Sequence, residues 1–321
     1  MLKYVRSFLP IALLALVGGA GIYAWKTHSL ASGADSNPPV RHSQSAPGNP
    51  GHSRLAAICD SGQPWQVRID LFRKNLQGKC GEPEIRYLYQ LLAQPPPKGE
   101  LPENWYIIAN DLMDQLCLRD PDPQRFSSKM LGLLHDPHQP LVLRDYAVQH
   151  LATWINPRSP RAARTTGDPG PKIVATVLQS LVEAVTDSTL EQSTIPGTTL
   201  MMLVNISRTP GSLVDCGAAI TTLKPWLAKA IQDDSTLSTP TRVSAVQAAG
   251  VLAPREFRPA LRRIAYQENG QSSLRLPAIA ALGQSGDADD LAKLQQIAGT
   301  HPELAYAARD AQRTLTARCE H

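Results

Sequence analysis

Three stretches of this chain carry an arginine, an alanine three residues later and a leucine or alanine four residues after that: Arg144, Ala147 and Leu151; Arg242, Ala245 and Ala249; Arg275, Ala278 and Leu282. Steps of three and four put all members of a set on one face of a helix. Arg242 and Arg275 are 33 residues apart, and a later segment, Ala305, Ala308 and Gln312, keeps the alanines without the arginine. In the clearest unit, 272–300, the turn sequence SGDADD leads into a second apolar stripe of Leu291, Leu294 and Ile297. Asp289 or Asp290 is placed to cap the helix that carries it. One such helix pair cannot bury its apolar face alone; stacked pairs can, and small residues let their backbones approach closely. An arginine at the start of the helix can then reach the carbonyl end of the preceding unit.

The same periodicity runs through most of the chain from about residue 65. Phe126, Met130, Leu133 and Leu134 fall on one helical face, as do Leu143, Ala147, Leu151 and Trp154. WQVRIDLFRKNL, EIRYLYQLLA, IVATVLQSLVEAV, TTLMMLVNIS and LVDCGAAITTLKPWLAKAI continue the series, and the rings of EIRYLYQ are read as core. No set of period-2 segments and no paired hairpin turn is present. Aromatic residues make up 5% of the chain and hydrophobic ones 42%, with 27 prolines. A core of alanine and leucine with marked element ends fits close-packed short helices. The separators HDPHQP, TPGS, LSTP, APRE and SGDADD are short, which sets neighbouring helices antiparallel. The expected fold is all-α.

VSAVQAAGVL, LRLPAIAALGQSGDADDLAKLQQIA and LAYAARDAQRTL, with LVLRDYAVQHLATWI as an earlier unit, resemble the HEAT-repeat family, in the short form also found in phycobilisome lyase proteins. The resemblance covers 238–315 best and 124–155 in part; elsewhere it rests on helical spacing. It implies an armadillo-like α-solenoid of antiparallel helix pairs, and with it a protein-binding scaffold. It does not imply a reaction. The period asks for a further unit between 171 and 230, where helical spacing is present without the Arg–Ala signature, so the register there stays open.

Ahead of the repeats, Phe8 to Trp25 runs 18 residues without a charge, preceded by Lys3 and Arg6 and closed by Tyr23, Trp25 and Lys26. Such a run is read as an uncleaved single-pass anchor, residues 1–26. The alternative is a signal segment cut near Gly18-Gly19-Ala20 or Ser32-Gly33-Ala34. Basic residues before the span place the N-terminus in the cytoplasm and residues 55–321 in a bacterial periplasm, held at the inner membrane; cleavage would release them into the periplasm. Residues 27–54 are Ser, Pro, Gly and His with few large apolar side chains, a flexible linker whose His28, His42 and His52 are solvated.

Candidate sites are few. An oxidising compartment would let two of the five cysteines bridge, and Cys59–Cys80 is the favoured pair. His135, Asp136 and His138 have metal-ligand chemistry, but Asp-Pro is equally the turn expected between two helices. No G-x-S-x-G elbow, P-loop or dinucleotide fingerprint occurs, and GQSGD joins two helices, so Ser285 and Asp287 have no catalytic reading. Catalytic, cofactor and metal residues are therefore expected to be none. The net charge of +4 is too mild to call for nucleic acid. Two surfaces remain for contact: the concave side of the solenoid, and the basic loop 156–172, where Arg158, Arg161, Arg164 and Lys172 surround the single acid Asp168. The expected function is a non-enzymatic scaffold for a protein partner of the cell envelope. The alternatives are a lyase-like enzyme of the HEAT class, or an envelope structural protein that holds anionic lipid or polymer on the basic loop.

Overall fold

The computed structural model describes residues 55–76, 80–156, 169–209, 214–232 and 235–319. The apolar run 8–25, the linker 27–54 and Arg158, Arg161 and Arg164 lie outside them. No described helix is long and apolar enough to cross a membrane.

The described residues form thirteen α-helices and two 3-10 turns, with no strand. The helices are α1 (Trp65–Asn75), α2 (Glu82–Leu92), α3 (Pro102–Arg119), α4 (Pro123–His135), α5 (Leu141–Ile155), α6 (Pro171–Thr186) and α7 (Ile195–Arg208). They continue as α8 (Gly217–Ala230), α9 (Thr239–Leu252), α10 (Pro254–Tyr266), α11 (Ser272–Ser285), α12 (Ala288–Thr300) and α13 (Ala305–Cys319). Proline sits in the first turn of α2, α3, α4, α6, α7, α9 and α10, where its missing N–H has no intrahelical partner to lose. Seven of the 27 prolines thus mark helix starts.

Odd- and even-numbered helices have different neighbours. Each odd helix packs on the next odd one, from α1 on α3 through to α11 on α13. Each even helix from α2 to α12 packs on the odd helix that follows it. The α4–α5 contact is centred on Phe126 and Trp154, whose ring centroids lie 5.2 Å apart. Between 171 and 230 lie α6, which packs on α7, and α8, which packs on both α6 and α9.

Small residues set the spacing of the odd row. A Cβ on Gly250 would lie 2.4 Å from Ala281 Cβ, and one on Gly283 would lie 2.7 Å from Ala311 Cα. Gly197 meets Ser244 and Thr241 in the same manner, with a shortest distance of 3.1 Å. Ala147, Ala245 and Ala278 are all fully buried. In α5, α9 and α11 the arginine ties the odd helix to the C-terminal end of the even helix just before it, its own packing partner. Arg144 Nε donates to Leu134 O at 2.8 Å, Arg242 Nη2 to Gln232 O at 2.7 Å and Arg275 Nε to Ala265 O at 3.2 Å, each ten residues back. Those carbonyls lie at or just beyond the C-terminal ends of α4, α8 and α10, where helix carbonyls lack intrahelical donors and favour a cation. One sequence expectation needs correction: the cap of α12 is Asp287, whose carboxylate accepts from Asp289 N, not Asp289 or Asp290. Asp290 is the other half of that capping box and accepts from Asp287 N at 2.9 Å.

Candidate binding face

Each odd helix from α3 to α11 packs against an odd neighbour on either side and against even helices, which leaves a line of residues uncovered. In α11, of Leu274–Ser285 only Leu276, Ala280 and Gln284 escape full burial. They are the fifth, ninth and thirteenth residues of the helix. The same positions are half-exposed in α3 (Tyr106, Asn110, Asp114), α5 (Asp145, Gln149, Thr153) and α9 (Val243, Gln247, Val251). In α7 the line is offset to Thr198, Met202 and Asn205, and on the terminal helix α13 it carries Arg309 and Arg313. Because the odd helices pack on one another in order, their lines lie side by side. Three hydrogen bonds to these lines cross between elements: His150 Nε2 of α5 with Asn110 Oδ1 of α3 at 2.9 Å, Thr194 Oγ1 to Asp145 at 3.2 Å, and Arg208 of α7 to Gln284 of α11 at 3.3 Å, passing α9.

The chemistry of these lines is graded. Asp114 and Asp145 stand on α3 and α5, the arginines on α13, and the line residues of α7, α9 and α11 are uncharged, with Arg208 reaching Gln284 from the C-terminal end of α7. The residues of those three lines are amides, threonine and aliphatic side chains. Asn205 and Gln247 make no side-chain hydrogen bond among the described residues. The even helices differ, exposing Glu82, Arg86, Lys129, Lys172, Glu183, Lys229, Arg255, Glu256, Asp289 and Lys293.

Two clusters of ionic groups hold turns between helices. Asp120, fully buried between α3 and α4, accepts from Arg125 Nη2 at 2.6 Å, Arg125 Nε at 3.0 Å and Tyr89 Oη at 2.7 Å. Asp290, at the turn between α11 and α12, accepts from Arg262 Nε at 2.7 Å and Tyr266 Oη at 2.5 Å. Arg262 also reaches Asp287 at 2.6 Å, and Arg258 joins Asp287 at 3.0 Å. Both knots link a tyrosine of one even helix to the turn that leads into the next even helix. Burial pushes the Asp290 carboxyl up, but the bonds from Arg262 and Tyr266 outweigh it and hold the group below the usual carboxylate range. Arg68 is fully buried, paired with Glu100 and donating to Asp60 O at 3.4 Å.

The structure treats the sequence candidates unequally. Arg275 is buried and bonded to the preceding turn, as is Arg144, whereas Arg242 is partly exposed. Lys172 is exposed in the first turn of α6, and it alone of the four loop cations is described. Asp136 accepts from His138 N at 2.9 Å and Gln139 Nε2 at 3.2 Å, so its carboxylate organises the α4–α5 turn. Among the described residues no group of three metal-ligating side chains is assembled. The bridge expected between Cys59 and Cys80 is not formed. Cys59 ends a 3-10 turn packed on α1; burial pushes its thiol up, against a smaller pull from Arg68, and it behaves as a small apolar side chain.

No family model, curated protein or solved structure matches the chain. The reading of its surfaces therefore rests on its own geometry. The face lines themselves went unrecognised in the sequence. Residue type did not mark them: in SSLRLPAIAALGQS the line carries Leu276, Ala280 and Gln284, while the equally small Ala278 and Ala281 are buried.

Proposed function

We propose that the chain is a non-enzymatic scaffold, tethered through residues 1–26, that binds a protein partner of the cell envelope on the uncovered face of its odd-numbered helices. On this reading the two helix rows form a HEAT-like superhelix, and the face is its inner side. The observation that carries the proposal is the loss of charge from the centre of an ordered surface. Protein interfaces are marked by depletion of charged residues at their core, with a charged rim. The lines of α7, α9 and α11 have that composition, with carboxylates at one end and arginines at the other. The exposed even-helix surface, rich in both signs, has the composition of a solvated one.

Gln247→Arg combined with Ala280→Arg places two charges in the neutral centre. Both positions are half-exposed, so the melting temperature should stay within about 2 °C of the parent, the change expected for surface substitutions of a few tenths of a kcal/mol. Purified in parallel from native membranes, the parent should bring down a discrete protein that the double variant loses. Equal recovery by both would refute the assignment of the face.

A further inference from the structure

We propose that the cleft between the C-terminal ends of α4 and α6 binds a small molecule carrying both a carboxylate and an ammonium group, the chemistry of a free α-amino acid. The cleft encloses about 270 Å³ and is lined by Leu134, Ala184 and Leu190 with His135, Arg144, Glu183, Thr186 and Asp187. That is just under the about 300 Å³ at which pockets for drug-sized ligands begin, so its occupant is small.

Arg144 is 7% exposed, and its Nε is fixed by Leu134 O. Neither of its Nη atoms has a hydrogen-bond partner among the described residues. The equivalent arginine of α11 differs: Arg275 adds a second bond from Nη1 to Glu268 O at 3.2 Å. The same framework position thus leaves Arg144 with an unused donor edge in the cleft. On the other side stand Glu183 and Asp187, one turn apart at the end of α6. Asp187 commits Oδ1 to Thr189 N and Oγ1, and Glu183 commits Oε1 to Gln179. Each keeps its second oxygen.

Opposite charges therefore share one cleft without pairing: no Arg144 nitrogen comes within 4.0 Å of either carboxylate. An anion alone would meet two carboxylates, and a cation alone would meet the guanidinium. A zwitterion matches both, its carboxylate on the Nη pair of Arg144 in the bidentate geometry that guanidinium favours, its ammonium between Glu183 and Asp187. The carbonyl end of α6 adds negative potential on the ammonium side. This inference uses neither the uncovered face nor its partner.

Calorimetric titration of the detergent-solubilised full chain with each common L-amino acid tests it. At least one should bind saturably at one site. Its deaminated and decarboxylated counterparts (for leucine, 4-methylpentanoate and 3-methylbutylamine) should bind at least tenfold more weakly. Glu183→Gln, at an exposed position, should weaken binding at least tenfold with the unliganded melting temperature unchanged. Arg144→Lys should do the same, although it also loosens the bond to Leu134; Glu183→Gln keeps the test sound if that variant unfolds. No binding at millimolar amino acid, equal binding of a single-charge analogue, or an unaffected Glu183→Gln would each overturn the proposal.

Discussion

At the residue scale, glycine and arginine in this chain act through the neighbouring helix. A helical glycine ordinarily costs about 0.5–1 kcal/mol against alanine. Gly132 in α4 has nothing within 4 Å of an added Cβ, so Gly132→Ala should stabilise the protein by about that amount. Gly283 has the opposite environment, with Ala311 backbone 2.7 Å from the added atom. Gly283→Ala should lower stability by about 1–3 kcal/mol, because overpacking outweighs the gain in helix propensity. Denaturant unfolding of the two variants reads the contrast in sign; stabilisation by both would mean that α11 and α13 are not in close contact. The alanine half of this logic was legible in the sequence, since the Arg–Ala spacing marked the buried face. The glycines were not, because a glycine in a helix looks the same whether it faces water or a backbone.

Helix elements are joined by the two carboxylate knots, and here the chemistry predicts a pH response. Asp290 has a carboxyl held below the usual carboxylate range in the folded chain. Its contribution is present above the unfolded value, near 3.9 for a free aspartate, and is lost as pH falls through the lower folded value. Asp290→Asn should therefore destabilise the protein at neutral pH and flatten the fall in melting temperature between about pH 5 and pH 2. An unchanged acid slope would show that Asp290 is not the group that Arg262 and Tyr266 hold ionised. The turn SGDADD was readable as a helix connection, but which aspartate capped it was not. Asp287, Asp289 and Asp290 are equivalent as letters, and the choice is made by Arg258, Arg262 and Tyr266, which lie more than twenty residues earlier and arrive only on folding.

On the scale of the whole molecule, the all-helical fold followed from apolar periodicity, scarce aromatics and short proline-marked separators. The register from 171 to 235 did not, because α7 has no arginine at the position held by Arg144, Arg242 and Arg275, and its pairing with α6 is decided by contacts far apart in sequence. Nor did the cleft, since Arg144 and Glu183 come from helices that spacing alone could not place together. The tether has a direct check: after alkaline carbonate washing, the full-length chain should stay with the membrane. A soluble form starting near residue 21 or 35 would contradict an anchor. The scaffold reading is tested most directly by a photo-reactive amino acid placed at Gln247 on the uncovered face and, in a second variant, at Gln295 on α12, each irradiated in native membranes. A discrete heterologous adduct is expected from position 247, abolished by the Ala280→Arg change, and none from position 295. Adducts of the same protein from both positions, or only self-adducts from position 247, would contradict the scaffold reading.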